Sequence, residues 1–160
     1  LTTEELKLSP ELQRRQDEEV KRVLDAFTKE IAQGKNENER AVALWNVGAA
    51  KVRDPRIVAK VTPFLTKEGD AMRGEAAAAL AGYPGDKQVA LALNSALGAN
   101  RARARVVEKI VAAMMSVGHE SSVQPLEQLL RSGDSKLGAA AARALGHFRS
   151  EDAFDALLGV

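Results

Sequence analysis

Apolar residues along most of the chain recur at intervals of three or four positions, with polar residues between them. After Asp54, for example, the apolar residues are Ile57, Val61, Phe64 and Leu65. This is the spacing of one face of an α-helix, and no segment sustains the strict alternation that is typical of a β-strand. The pattern therefore predicts an all-α protein.

A recurring phrase divides this helical pattern into units. A polar residue stands twelve positions before a glycine in NENERAVALWNVG (36–48), DAMRGEAAAALAG (70–82) and DSKLGAAAARALG (134–146). One more unit fits between the second and the third, and residues 100–118 fill it with a longer first helix. Each glycine is followed by a short polar turn and a second amphipathic segment. The sequence therefore predicts four helical hairpins.

Turn and capping residues give the expected bounds of the hairpins. Asp54 before Pro55 is typical of a helix start, whereas Pro63 is expected to kink or divide the helix that follows. The first helices are expected to end in left-handed glycines, namely Gly48, Gly82, Gly118 and Gly146. The hairpins are expected at about 35–69, 70–99, 100–133 and 134–160, after an N-terminal helical cap over 1–34.

The cap is expected to be a single helix. Ser9-Pro10-Glu11 is a good helix start and Gly34 a good stop. Its apolar stripe consists of Leu12, Val20, Val23, Leu24, Phe27 and Ile31. We expect this stripe to cover the exposed face of the first hairpin. The alternatives are a coiled-coil arm for a partner and a helix on a membrane surface, and the mixed charges of the segment weigh against the second.

The alanine-rich phrases carry a resemblance to a known family. DAMRGEAAAALAGYPGD (70–86) has an acidic residue, a short gap, an arginine, an alanine-rich stretch ending in glycine, and an aspartate. DSKLGAAAARALGHFRSED (134–152) repeats it with Leu137 where the family tends to have arginine. Over residues 36–160 the chain resembles the bacterial HEAT-like repeat family. The resemblance implies an α-solenoid of about four HEAT-like helical hairpins with an N-terminal capping helix.

Composition narrows the possible functions. The 160 residues include 23 basic and 22 acidic side chains, so no overall field attracts nucleic acid or a membrane. The chain has no cysteine, no apolar run long enough to span a membrane, and no known catalytic or phosphate-binding motif. We expect a soluble, non-enzymatic protein without a cofactor or metal. The sequence does not identify its cellular compartment. Because the chain starts at Leu1, its natural N-terminus is expected to lie elsewhere.

The second helices supply the candidate binding residues, because they are expected to line the concave face of such a solenoid. The residues that point away from their apolar stripes are Arg56, Lys60, Gln88, Leu91, Ser95, Gln124, Gln128, Asp152 and Asp155. Along the stack, the side chains of this row change from basic through neutral amide to acidic. Such a gradient suits an extended peptide or a helix whose own charges run in the opposite order. The sequence therefore predicts a scaffold that binds another protein or peptide.

A basic cluster offers an alternative function. On a helix Arg101, Arg105 and Lys109 would share one face, which predicts a module that binds nucleic-acid phosphates. The resemblance adds that some HEAT-like proteins, the alkylpurine DNA glycosylases among them, hold phosphates on such surfaces. No aromatic residue interleaves with these arginines, so nucleic acid is the less favoured partner. HEAT-like bilin lyase subunits supply an enzymatic alternative, but no residue here marks a chromophore site.

Three smaller features complete the expectations. His119 and His147 follow the glycines of consecutive units, where they are either turn residues or a shared metal or pH-sensing site.

Trp45 is expected in the core, with an exposed binding residue as the alternative. The last second helix exposes apolar side chains that a following repeat would cover, namely Phe154, Leu157 and Leu158. We therefore expect self-association through the C-terminal end or a chain that continues.

Overall fold

The computed structural model describes residues 9–159, which form nine α-helices, two short 3-10 helices and no β-strand. The α-helices are α1 (Pro10–Gln33), α2 (Glu37–Ala49), α3 (Pro55–Val61), α4 (Asp70–Leu80), α5 (Lys87–Ala99), α6 (Ala104–Val117), α7 (Val123–Leu130), α8 (Ser135–His147) and α9 (Glu151–Leu158). The 3-10 helices are Thr62–Leu65 and Glu120–Ser122. The prediction of an all-α solenoid is confirmed. We call α2, α4, α6 and α8 the first helices, and α3, α5, α7 and α9 the second helices.

Side chains at the predicted positions begin many of the helices. The Ser9 hydroxyl accepts a hydrogen bond from the Leu12 N–H at 3.3 Å, and the Asp86 carboxylate accepts one from the Val89 N–H at 3.0 Å. Asn36, Asp54, Asp134 and Ser150 cap α2, α3, α8 and α9 in the same way. Each such cap satisfies a backbone N–H that has no partner within its helix.

The first helices pack directly on one another along the chain, α2 on α4, α4 on α6 and α6 on α8. Small residues allow the close approach: a Cβ atom added at Gly48 would lie 3.2 Å from the Ala79 Cα. The second helices contact one another less, and α5 meets the next hairpin mainly through the 3-10 helix Glu120–Ser122. The protein therefore has two layers of helices, of which the layer of first helices is the more tightly packed.

One continuous apolar core runs between these layers from α1 to α9. Its largest fully buried side chains include Leu44, Ile57, Leu65, Met72, Leu80, Leu93, Ile110, Met114, Leu126 and Leu145. The helix α1 joins it through Val20, Val23 and Phe27, and the Phe27 ring meets Phe64 edge to face at a centroid distance of 5.7 Å. Leu12, expected in the buried stripe, is half exposed because it lies in the first turn of α1, ahead of the residues that pack on the first hairpin.

The helix ends differ from the sequence-based expectation in one respect. Of the four glycines expected to be left-handed, only Gly118 has a positive φ, of 65°. Gly48 and Gly146 lie within α2 and α8. In the first hairpin the left-handed residues are Lys51, with φ 54° in the turn after α2, and Glu68, with φ 64°. At Gly48, close helix packing rather than a turn requires the absence of a side chain. Pro63 divides the helix as predicted, since α3 ends at Val61 and a 3-10 turn follows.

Candidate protein-binding surfaces

All nine candidate residues on the second helices are exposed to solvent. Eight of them make no side-chain hydrogen bond or ion pair within residues 9–159. Arg56 differs from the others. Its Nε and Nη2 atoms donate to the Asp54 carboxylate at 2.8 and 2.9 Å, and Nη2 also donates to Asp17 Oδ1 at 2.8 Å. The guanidinium therefore joins α1 to the start of α3, and its charge is already neutralised within the chain.

This clamp changes the acidity of Asp54. The hydrogen bonds from Arg56 lower the pKa of the Asp54 carboxyl from 3.8 to about 2, although burial acts in the opposite direction. A carboxyl whose pKa is lower in the folded state stabilises the fold above its unfolded pKa. That contribution is lost as the pH falls from about 4 to about 2.

We therefore expect the stability difference between the wild-type chain and Asp54→Asn to shrink in acid. Between pH 5 and pH 2 the difference in free energy of unfolding should fall by about 1–2 kcal/mol, a value reduced for the half-exposed position of Arg56. Urea denaturation at a series of pH values measures it. Asp155→Asn, which removes an exposed carboxylate that has no arginine partner within residues 9–159, is the control for the general effect of losing a surface charge. A constant difference for Asp54→Asn would show that the clamp does not stabilise the fold.

The predicted basic stripe of Arg101, Arg105 and Lys109 is wrong as a helical face. Arg101 lies in the turn before α6, which begins at Ala104, and Arg105 lies in the first turn of that helix. The Lys109 Nζ pairs with Glu75 Oε1 at 2.9 Å, and its alkyl chain covers Gly74. The three cations thus lie in different environments. Phosphate binding by Arg101 and Arg105, which have no ion pair within residues 9–159, stays a prediction.

The charges on the first helices mostly link neighbouring hairpins. Glu37 Oε1 accepts hydrogen bonds from the backbone N–H groups of Ala71 and Met72 at 2.8 and 3.3 Å, and so caps α4 from α2. Further links join Arg103 to Asp70, and Lys136 to Glu108 at 2.9 Å. These pairs fix the stacking of the hairpins, a role that the spacing of charges within one helix does not reveal.

The side chain of Trp45 is largely exposed, which contradicts its expected place in the core. Trp45 is 60% exposed and Val42, one helical turn earlier on α2, is 53% exposed. Leu44 and Val47 fill the core face of the helix instead. Trp45 borders a groove of about 270 Å³ between α2 and α4, whose floor consists largely of the small residues Gly48, Ala49, Ala78, Ala79 and Gly82.

A second groove on the same layer lies between α6 and α8. It has a volume of about 290 Å³, and its lining includes Ala112, Met115, Ala140 and Arg143. Arg143 is exposed and forms no ion pair within residues 9–159. The surface of the first helices therefore has an aromatic end at Trp45 and a basic end at Arg143.

The two histidines lie in different local environments. The His119 Nδ1 accepts a hydrogen bond from the Ser121 N–H at 3.1 Å and so closes the turn before α7. His147 is the exposed last residue of α8. Within residues 9–159 no group of three or more acidic or histidine side chains is arranged to hold a metal ion.

The apolar C-terminal end is only partly as expected. Phe154 and Leu158 on α9 are largely exposed, as the pattern predicts, whereas Leu157 is partly buried against the core. The expected self-association through these side chains stays a prediction.

The fold defines a class of protein, a solenoid of stacked helical hairpins. Residues 99–160, which contain α6 to α9, match the family model for HEAT repeats, and the stacked hairpins of the described chain are consistent with that match. A bacterial origin does not follow from the match. No curated protein matches the chain significantly. In the part of the chain that the structure describes, every helix is too short or too polar to cross a membrane.

Proposed function

We propose that the chain is a non-enzymatic scaffold that binds another protein, and that the first helices form its binding surface. HEAT repeats commonly mediate protein interactions, and this chain contains them. The exposed side chain of Trp45 on α2 is the main reason for proposing the first helices rather than the second helices.

Packing supports the first helices as the inner, concave layer. In a curved stack of two layers, the helices of the inner layer lie closer together than those of the outer layer. Here the first helices contact one another closely, with Gly48 against Ala79, while the second helices contact one another less. This assignment is the reverse of the sequence-based one, which placed the second helices on the concave side.

The side chains available on the two layers support the same choice. Tryptophan is the residue most enriched among those that dominate binding energy, and here it stands beside a groove with a small-residue floor. The row on the second helices offers only Leu91 as an exposed large apolar side chain, and its Arg56 is paired within the chain. The first-helix surface therefore combines an exposed tryptophan with a groove, whereas the exposed Phe154 and Leu158 of the second helices lie on α9, outside that row.

The chemistry of this surface indicates the kind of partner. A protein segment with an apolar side chain would pack on Trp45 and Val42, and acidic residues further along would meet Arg143. Neighbouring packed helices are about 8–10 Å apart, so a segment that crosses from α2 to α8 spans roughly 25–30 Å. A partner helix or an extended peptide of moderate length reaches that far.

We expect Trp45→Ala to abolish most of the partner binding. Affinity capture from the source cell supplies the partner, and titration of that purified partner measures the change. Loss of an exposed tryptophan that packs on the partner is expected to raise the dissociation constant by about 30-fold or more.

Leu91→Ala, the loss of an exposed apolar side chain from the second-helix row, is the matched control and should leave binding unchanged. Circular dichroism establishes that both variants fold. If Leu91→Ala weakens binding and Trp45→Ala does not, the second helices are the binding surface and the assignment made here is wrong.

A further inference from the structure

A cavity beside the tryptophan groove lies at the edge of the solenoid, where the turn after α2 meets the turn after α4, and the two linings share Gly48, Ala79 and Gly82. Its volume is about 310 Å³, which is at the lower end of the range for pockets that hold small molecules, roughly 300–1,000 Å³. Two of the residues that line it, Gly48 and Gly82, have no side chains.

The inner wall of the cavity is aliphatic. Val47, Ile57, Val61 and Leu80 line it, and each is buried in the core of the first two hairpins. Such a wall favours an apolar group of a ligand and rejects an isolated charge.

Two cations line the same cavity. Lys51 and Arg53 are both exposed, and neither side chain forms an ion pair or a hydrogen bond within residues 9–159. They differ in this from Arg40, Arg56, Arg103 and Lys109, which are all paired with carboxylates. An anionic group of a ligand would therefore find two cations with no competing carboxylate partner.

The backbone at Lys51 is a second and independent observation. Its φ of 54° is in the left-handed region, which favours glycine and disfavours lysine. Residues held in such conformations cluster at binding sites, where the surrounding structure fixes the direction of the side chain. Here the hydrogen bond from the Lys51 N–H to the Gly48 carbonyl, 3.3 Å long, holds the turn.

Tyr83 completes the lining. Its ring is buried, and its hydroxyl lies 3.4 Å from the Val52 carbonyl oxygen and 3.5 Å from the Asp54 nitrogen, both at the outer limit for hydrogen bonds. The hydroxyl can exchange these long contacts for a shorter one to a ligand oxygen.

We propose that this cavity binds a carboxylate carried on a short aliphatic group, with the aliphatic group against Val47, Ile57 and Leu80 and the carboxylate held by Lys51 and Arg53. Two sources supply this chemistry: a free aliphatic acid and the C-terminal carboxylate of a peptide that ends in leucine or valine. The proposal does not depend on the proposed protein-binding function, because Trp45 does not line the cavity.

Titration calorimetry of the full chain with defined probes tests the proposal. The free-acid probe is octanoate, with 1-octanol as the uncharged control. The peptide probe is an acetylated tetrapeptide that ends in leucine with a free carboxylate, and its control has a C-terminal amide. We expect saturable binding of one carboxylate probe at least, weakened by about tenfold or more when its charge is absent. The probe that binds identifies the source.

Variants of the two cations complete the test. Lys51→Gly removes the charge and suits the left-handed backbone, so it should fold at least as well as the wild type while binding the carboxylate probe about tenfold more weakly. Arg53→Gln should weaken binding similarly, and Lys60→Gln, an exposed lysine that does not line the cavity, should not. The proposal is overturned if no carboxylate probe saturates, if the uncharged controls bind equally well, or if Lys51→Gly and Arg53→Gln bind like the wild type.

Discussion

Gly48→Val is expected to lower the free energy of unfolding by about 2–3 kcal/mol. A Cβ atom at this position would lie 3.2 Å from the Ala79 Cα, which is a backbone atom and cannot rotate away. The strain is relieved only if α2 and α4 move apart, and this movement would weaken the contact between the first two hairpins. Urea denaturation followed by circular dichroism measures the effect.

Gly98→Val is the matched control for this prediction. Gly98 also lies inside a helix, α5, but a Cβ atom added there meets no atom within 4 Å. Valine is a better helix residue than glycine, so this change should leave the stability within about 0.5 kcal/mol of the wild type or raise it slightly. Equal losses for the two variants would mean that the close approach of α2 and α4 does not determine the result.

The sequence predicted the hairpins well because their signals are local. The caps at Ser9, Asp54, Asp86 and Ser150 each bond to a backbone N–H two or three residues away, and the first three are followed by a regular apolar spacing. A few neighbouring residues are therefore enough to indicate where a helix begins and which side of it is apolar. The all-α solenoid could therefore be predicted before any tertiary contact was known.

The position of Trp45 could not be predicted in the same way. The segment Ala41–Trp45 is apolar at every position, so its periodicity does not say which side faces the core. The packing of neighbouring helices on α2 determines which side is buried. Ala43, Leu44 and Val47 lie on the buried side, and Val42 and Trp45 lie on the exposed side. The sequence therefore gives no local signal that separates the exposed Trp45 from the core residues around it.

The role of Arg56 was missed for a different reason. Its partner Asp17 lies 39 positions earlier in the chain, on a helix outside the repeat. Exposure of Arg56 on a second helix could be predicted from the apolar spacing, but its pairing required the position of α1 on the first hairpin. The same limit applies to the cavity beside Lys51 and Arg53, which two consecutive turns form only when they are stacked.

The hydrogen bonds of the Asn100 side chain help to explain why α6 starts at Ala104 rather than near Asn100. Asn100 is almost completely buried, and its Nδ2 donates to the carbonyl oxygens of Leu65 at 2.9 Å and Ala96 at 2.8 Å. Its Oδ1 accepts a hydrogen bond from Arg73 Nη1 at 2.8 Å. These bonds place Asn100 at the end of α5, so a new helix cannot begin until the turn 100–103 is complete.

We expect Asn100→Ala to lower the free energy of unfolding by about 3 kcal/mol, because it leaves the Leu65 carbonyl and the Arg73 guanidinium without their partner. Asn38→Ala, which removes an exposed amide in the first turn of α2, should change it by less than about 0.5 kcal/mol. Asn100→Asp keeps an acceptor for Arg73 but turns a carboxylate oxygen toward two carbonyl oxygens, and it should also be destabilised. Thermal and urea denaturation of the three variants provide the measurement. If Asn100→Asp is as stable as the wild type, the bond to Arg73 alone joins the hairpins, and the two carbonyl bonds contribute nothing to the end of α5.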